Sequence, residues 1–212
     1  MFKAFAESSA GRMVFAVVAL VCLLVIMGTM LKRNKKFTVK MMVYVAVCLA
    51  LSTALSYITI YKAPYGGAVT PASMLFVMIP AYMFGPAIGL LAGVTHGLLQ
   101  LVIDPQVYHP VQLLLDYPIA FGLLGLSGVF AKSQFGLLIG TIVGCIGRWA
   151  ASTISGVVFF SEYAKDWNMG PWQYSIAYNG SYIGIELVII LIVVSVPVFK
   201  NAVDAVRKQA TA

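Results

Sequence analysis

Long apolar runs separated by short polar breaks dominate the chain, and their lengths decide which elements form. A helix needs about 20 mostly apolar residues to cross the hydrocarbon core of a bilayer. Runs at 13–31, 41–60, 74–82, 85–103, 111–131, 135–160 and 176–199 fit that description, cut from one another at Pro, Gly and charged clusters. Seven spans are therefore expected, one extra helix followed by six. The third is the weakest, because Pro80 lies inside it and Phe84-Gly85-Pro86 ends it. Such a short or kinked span is tolerated where protein or a cavity covers its backbone. Run 13–31 carries no charge, shows no evident small-residue cleavage site and is followed at once by Lys32 and Arg33. It is expected to be a retained anchor rather than a signal peptide. The expected division is 1–37 as an N-terminal extension with a basic linker, 38–199 as a six-helix membrane domain, and 200–212 as a tail.

Composition sharpens this to one class. The 212 residues are 61% hydrophobic and 10% charged, with a mean hydropathy of +0.93, which excludes an ordinary soluble domain and implies an all-α polytopic membrane protein. A net charge of +7 would suggest nucleic acid in a soluble chain, but here the cations gather at segment ends. No nucleic-acid partner is expected; the partner is the lipid bilayer. Lys32, Arg33, Lys35, Lys36, Lys40, Lys132, Lys200, Arg207 and Lys208 fall on one side if the N-terminus is outside and the C-terminus cytoplasmic. Loops 61–73, 104–110 and 161–175 then face outside, and they hold most of the polar aromatics. Cys22, Cys48 and Cys145 sit singly in apolar runs and read as small core residues. His96 reads as a packed core residue and His109, before Pro110, as a cap or lid. Two histidines so far apart, with no acidic or cysteine cluster, do not make a metal site. The dipeptide Gly-Lys is absent, so no P-loop binds ATP in this chain.

Candidate chemistry lies within the membrane and at its outer edge. Asp116, Arg148 and Glu186 are the intramembrane ionisable residues, and such groups need pairing, wetting or a ligand. Arg148 and Glu186 are candidates for an internal ion pair. Asp116 lies about two turns inside the outer end of its span beside Tyr117, facing a rim rich in aromatics, and is a candidate ligand residue. Tyr174, Ser175, Tyr178, Asn179 and Tyr182 recur at spacings of three and four and so share one helical face. Trp167 and Trp172 fit an interfacial belt, but a belt does not need an Asn, a Ser and several tyrosines on one face. Ring faces and a carboxylate together suit a small organic cation with flat rings. Asn179 offers both donor and acceptor to a heteroaromatic edge. In the second span Ala46, Ala50 and Ala54 are spaced by four, a smooth stripe for close helix approach either within the chain or to another subunit.

In order, "APYGGAVT", "HPVQLLLDYPIAF", "GRWAASTISGVVFFSEYA" and "YSIAYNGSY" resemble the thiamine-specific substrate-binding (S) component, the ThiT family, of energy-coupling factor (ECF) transporters. The resemblance covers about 38–198. It implies a six-helix protein of the prokaryotic cell membrane that captures thiamine from outside, binds no cofactor and performs no chemistry. It also implies that the protein docks on a transmembrane coupling protein with two ABC ATPases, which use the ATP. Carried over residue by residue, the acidic-Tyr pair falls on Asp116 and Tyr117, and the late tyrosine and asparagine on Tyr174 and Asn179. The coupling-protein contact falls on Ala46, Ala50 and Ala54. Ser152 stands where the family has a histidine and Phe160 where some members have tryptophan, and Tyr65 is the expected aromatic of the glycine loop. With Tyr178 and His109 these complete the expected substrate-binding set. The rival expectation is a stand-alone secondary transporter driven by an ion gradient, with Asp116 or Glu186 as the ion site; missing inverted repeats and small size oppose it. An intramembrane enzyme is opposed by the lack of a nucleophile–base pair.

Overall fold

The computed structural model describes residues 38–211 together with Val14, Val18 and Val21. Apart from those three positions, the expected helix over 13–31, the basic linker after it and Cys22 lie outside the described residues. The elements are α1 (Val39–Ser56), a short antiparallel hairpin of β1 (Tyr61–Lys62) and β2 (Ala68–Val69), α2 (Ser73–Phe84), α3 (Pro86–Ile103) and α4 (Pro110–Phe130). They are followed by α5 (Gly136–Phe159), a 3₁₀ helix Ser161–Trp167, α6 (Pro171–Ser195) and α7 (Pro197–Thr211). Helices α1, α3, α4, α5 and α6 are each long and apolar enough to cross a membrane. The chain is an all-α polytopic membrane protein.

The short third span proves to be the centre of the bundle. Helix α2 has 12 residues, of which Met74, Leu75, Val77, Met78 and Pro80 are almost wholly buried, as befits a helix that is apolar all round. At 1.5 Å per residue it rises about 18 Å, well short of a bilayer core of about 30 Å. Its N-terminus therefore starts inside the protein. Ala68 and Thr70, just before that terminus, and Ser73 at it line a cavity.

Helix α4 is irregular where the sequence suggested an unbroken span. Pro118 cannot donate to the helical ladder, and residues Leu115–Ile119 widen into a π-helical turn before the last seven residues tighten into a 3₁₀ helix. The turn displays Asp116 and Tyr117. Opposite lies a ladder of glycines on α3: a Cβ at Gly93 would strike the carbonyl of Phe121, and one at Gly97 the carbonyl of Tyr117. The two backbones touch because those side chains are absent. Gly97→Ala is expected to push α4 away and destabilise the fold by about 1–3 kcal/mol, read as a lower thermal midpoint of the purified protein.

The last span begins and ends earlier than hydropathy suggested. It runs over Pro171–Ser195, Val196 is extended, and Pro197 opens a separate helix; proline supplies no donor and biases its predecessor away from helix. Helix α7 buries Val203 and Ala210 on one face, leaves Lys208 exposed and half-buries Lys200. Alternation of the spans gathers Thr38, Gly85, Lys132 and Val196 at one end of the bundle. The hairpin, the turn 104–109 and the 3₁₀ helix lie at the other.

Candidate functional site

At the hairpin end a cavity of about 530 Å³ enters the bundle between α1, α3, α4, α5 and α6. Helix α6 supplies one wall: Tyr174, Ser175, Tyr178, Asn179 and Tyr182 all line it, as their spacing required, and Glu186 continues the same face one turn deeper. From α4 come Asp116 and Tyr117, from α5 Ser152 and from its C-terminus Phe160, while the hairpin adds Tyr65. Eight residues expected at a site from sequence thus share one cavity. His109 does not line it. Its Nδ1 accepts from Val111 N at 3.2 Å, capping α4, and its ring stacks on Phe159 with centroids 5.1 Å apart.

The rim is a connected set of rings. Tyr65 stacks on Tyr163 at 4.1 Å, Tyr163 on Phe160 at 6.1 Å, and Tyr174 on Tyr178 at 5.5 Å. Tyr65 adopts a left-handed backbone (φ 66), a cost of about 1–2 kcal/mol for an L residue, and the stack on Tyr163 helps to hold it there. Trp167 and Trp172 remain more than half exposed outside the rim, and Trp167 leans on Tyr174 at 6.5 Å.

Two carboxylates reach the cavity in different states. Glu186 is saturated: Thr70 Oγ1, Ser73 Oγ and Met74 N donate to its Oε1 at 2.8, 3.1 and 3.0 Å, and Thr70 N to its Oε2 at 3.3 Å. Because Thr70, Ser73 and Met74 lie at the start of α2, Glu186 acts as the cap that Ala72 cannot provide. The positive end of the α2 dipole offsets its charge. The expected Arg148–Glu186 pair does not form. The guanidinium carbon of Arg148 instead lies over Phe121, 4.2 Å from the ring centroid, with its Nε unpartnered among the described residues. Glu186 had nearer donors, and α2 starts deep enough to bring them. Asp116, by contrast, receives one short bond, from Gln112 Nε2 at 2.6 Å. Counting Asp104, three carboxylates line the cavity against Lys62 and Arg148, which leaves a negative balance for an organic cation to meet.

Asn179 is more constrained than its inventory suggested. Its Nδ2 donates to Ser175 O at 2.9 Å and Ser152 O at 3.2 Å, and its Oδ1 accepts from Tyr182 Oη at 2.8 Å. Both amide hydrogens are committed, so it presents only a remaining acceptor site on Oδ1. Gln112, His96 and Gln100 also reach the cavity and were not singled out for it. Gln112 sits four residues before Asp116, a spacing that places it on the same helical face. His96, 1% exposed, touches Gln100 and Ser52 through Nε2 at 3.3 and 3.4 Å, so the expectation of a packed core residue describes its burial but not its place on the cavity wall. Cys48 and Cys145 are buried as expected. Ala46, Ala50 and Ala54 are exposed on α1; the stripe is not used for packing within the described residues.

Known proteins resemble this chain in sequence and in fold. Thiamine transporter ThiT of Bacillus subtilis is 38% identical over 144 residues, 61% of this chain and 74% of that protein. Thiamine transporter ThiT of Lacticaseibacillus paracasei is 30% identical over 172 residues, 71% and 83% of the two chains. A solved structure of ThiT from Listeria monocytogenes shares the fold with a TM-score of 0.63 at 23% identity, covering 74% of this chain and 94% of that one. The family described as "Thiamine transporter protein (Thia_YuaJ)" matches residues 42–205, and the chain belongs to it.

Proposed function

We propose that this protein is the thiamine-capture subunit of an ECF-type importer, binding its ligand in the cavity between α4, α5 and α6. The carrying observation is the meeting of Asp116, to which Gln112 donates at 2.6 Å, with the tyrosine rim in a cavity whose lining among the described residues is net negative. A thiazolium cation gains Coulombic attraction from the carboxylate and quadrupole attraction from ring faces. The aminopyrimidine carries an exocyclic amino group, and the Asn179 Oδ1 is an acceptor for it. Tyr117, Phe160 and Tyr65 complete the enclosure, Ser152 leaves room where the family has an imidazole, and His109 acts from outside as a helix cap. Family membership supports thiamine as the ligand.

In this reading the cavity end faces outside and the C-terminus lies in the cytoplasm, in keeping with the cations at the Thr38 end. The exposed Ala46, Ala50 and Ala54 form the contact with a transmembrane coupling protein, whose two ABC ATPases consume the ATP. The chain itself needs no cofactor. The experiment is a fluorescence titration of the purified chain, with Trp167 as reporter because it touches the cavity-lining Tyr174. Thiamine is expected to change the emission at submicromolar concentration. A response only to a different organic cation would overturn the ligand. Uptake by this chain in cells lacking a coupling module would overturn the subunit role in favour of an ion-coupled transporter.

A further inference from the structure

A second cavity, of about 880 Å³, lies at the opposite end of the bundle from the ligand cavity. Its walls are the N-terminus of α1, the α2–α3 junction, the end of α4 and one face of α7. Lys40, Lys132 and Arg207 line it, together with the hydroxyl residues Thr38 and Thr211, and among the described residues no Asp or Glu does. Asp204, on the same helix as Arg207, is engaged elsewhere, accepting from Tyr82 Oη at 2.7 Å. Arg207 is already oriented: its guanidinium stands 4.5 Å over the Tyr82 ring, and one Nη donates to Ala131 O at 2.8 Å. No ion pair joins it to Asp204 among the described residues, so its remaining N–H groups are held in place without a carboxylate partner.

We propose that this cavity seats the phosphate of an anionic phospholipid, with Arg207 as the oriented fork and Lys40 and Lys132 as flanking point charges. Planar guanidinium presents paired donors to phosphate oxygens, and the two lysines add charge without geometric demand. A lipid is favoured over a free anion because the same cavity is lined by Met41, Met83, Phe84 and Val129, an apolar surface suited to acyl chains. The amphipathic α7, with Val203 and Ala210 turned inward and Asn201, Lys208 and Gln209 outward, is of the kind that lies at a bilayer interface. Basic pockets between transmembrane helices bind anionic headgroups by this chemistry.

The test measures binding of dioleoyl-phosphatidylglycerol to the full chain in detergent by native mass spectrometry, against dioleoyl-phosphatidylcholine. Lys40 and Lys132 are exposed, so the double variant Lys40→Gln/Lys132→Gln tests the site without disturbing the core. It is expected to bind phosphatidylglycerol on the order of tenfold more weakly while keeping its response to thiamine. Lys62→Gln/Lys165→Gln, at the other end, is expected to bind it as the parent does. Equal binding of both lipids, or equal loss in the two double variants, overturns the proposal. Inorganic phosphate or glycerol phosphate displacing the lipid at equal concentration would assign the site to a free phosphate instead.

Discussion

Asp116→Asn is expected to weaken thiamine binding by about 1–3 kcal/mol, a factor of roughly 5 to 150 in Kd, in the tryptophan titration of the purified protein. The substitution keeps the shape and leaves an oxygen to accept from Gln112 Nε2, now at 2.6 Å, so the fold has little reason to respond. Gln112 is itself anchored, donating to Gln106 O at 3.0 Å and accepting from Tyr108 N at 3.0 Å, and it holds the carboxamide where the carboxylate stood. What disappears is the charge. A neutral analogue of similar shape should lose far less affinity on the same substitution, and that difference separates attraction of a cation from simple contact. Unchanged thiamine affinity would make Asp116 a structural partner of Gln112 and leave the cation to the tyrosine rings.

Glu186→Ala is expected to lower stability by about 3 kcal/mol or more, read as a fall in the thermal unfolding midpoint, because it strips the acceptor from donors buried at the start of α2. Thr70 N and Met74 N lose their only bonds to that carboxylate, and the left-handed Ala72 (φ 67) loses the anchor that holds α2 after it. Glu186→Gln is the instructive contrast. Its carbonyl oxygen can keep the three bonds now made to Oε1, while its amide group faces Thr70 N in place of Oε2. A cost of about 1–2 kcal/mol is expected for that one mismatched donor and the lost charge at the helix end. The hairpin is tied to α6, the helix that carries Glu186, since Tyr178 Oη accepts from Gly67 N at 3.0 Å and donates to Pro64 O, and Tyr182 packs against Gly67. The Glu186 variants should therefore also loosen the wall of the ligand cavity. Equal stability of the Ala variant and the parent would mean that the α2 terminus is capped by other means.

Much of the architecture was legible because a bilayer imposes lengths. Runs near 20 residues become helices, and α1, α3, α4, α5 and α6 lie where hydropathy placed them to within a few residues, since no other structure satisfies so many backbone groups in hydrocarbon. The aromatic face of α6 was equally legible, because residues three and four apart on a helix must share a side. What escaped was local: the π-helical turn at Asp116, the break at Val196 and the hairpin within 61–73. Each depends on where a proline or a short β pair finds its hydrogen-bonding partners, which periodicity does not encode.

Run lengths and helical periodicity are enough to make the chain a multi-span helical membrane protein, with a carboxylate in one helix and a face of tyrosines in another that need partners. Tertiary packing settles which carboxylate keeps acceptor sites open. It placed the N-terminus of a short central helix against Glu186 and left Asp116 with Gln112, while Arg148 settled on Phe121. Charges of the same kind are alike in a sequence; their partners are set by which helix ends inside the bundle, and that depth follows from packing rather than from the order of residues.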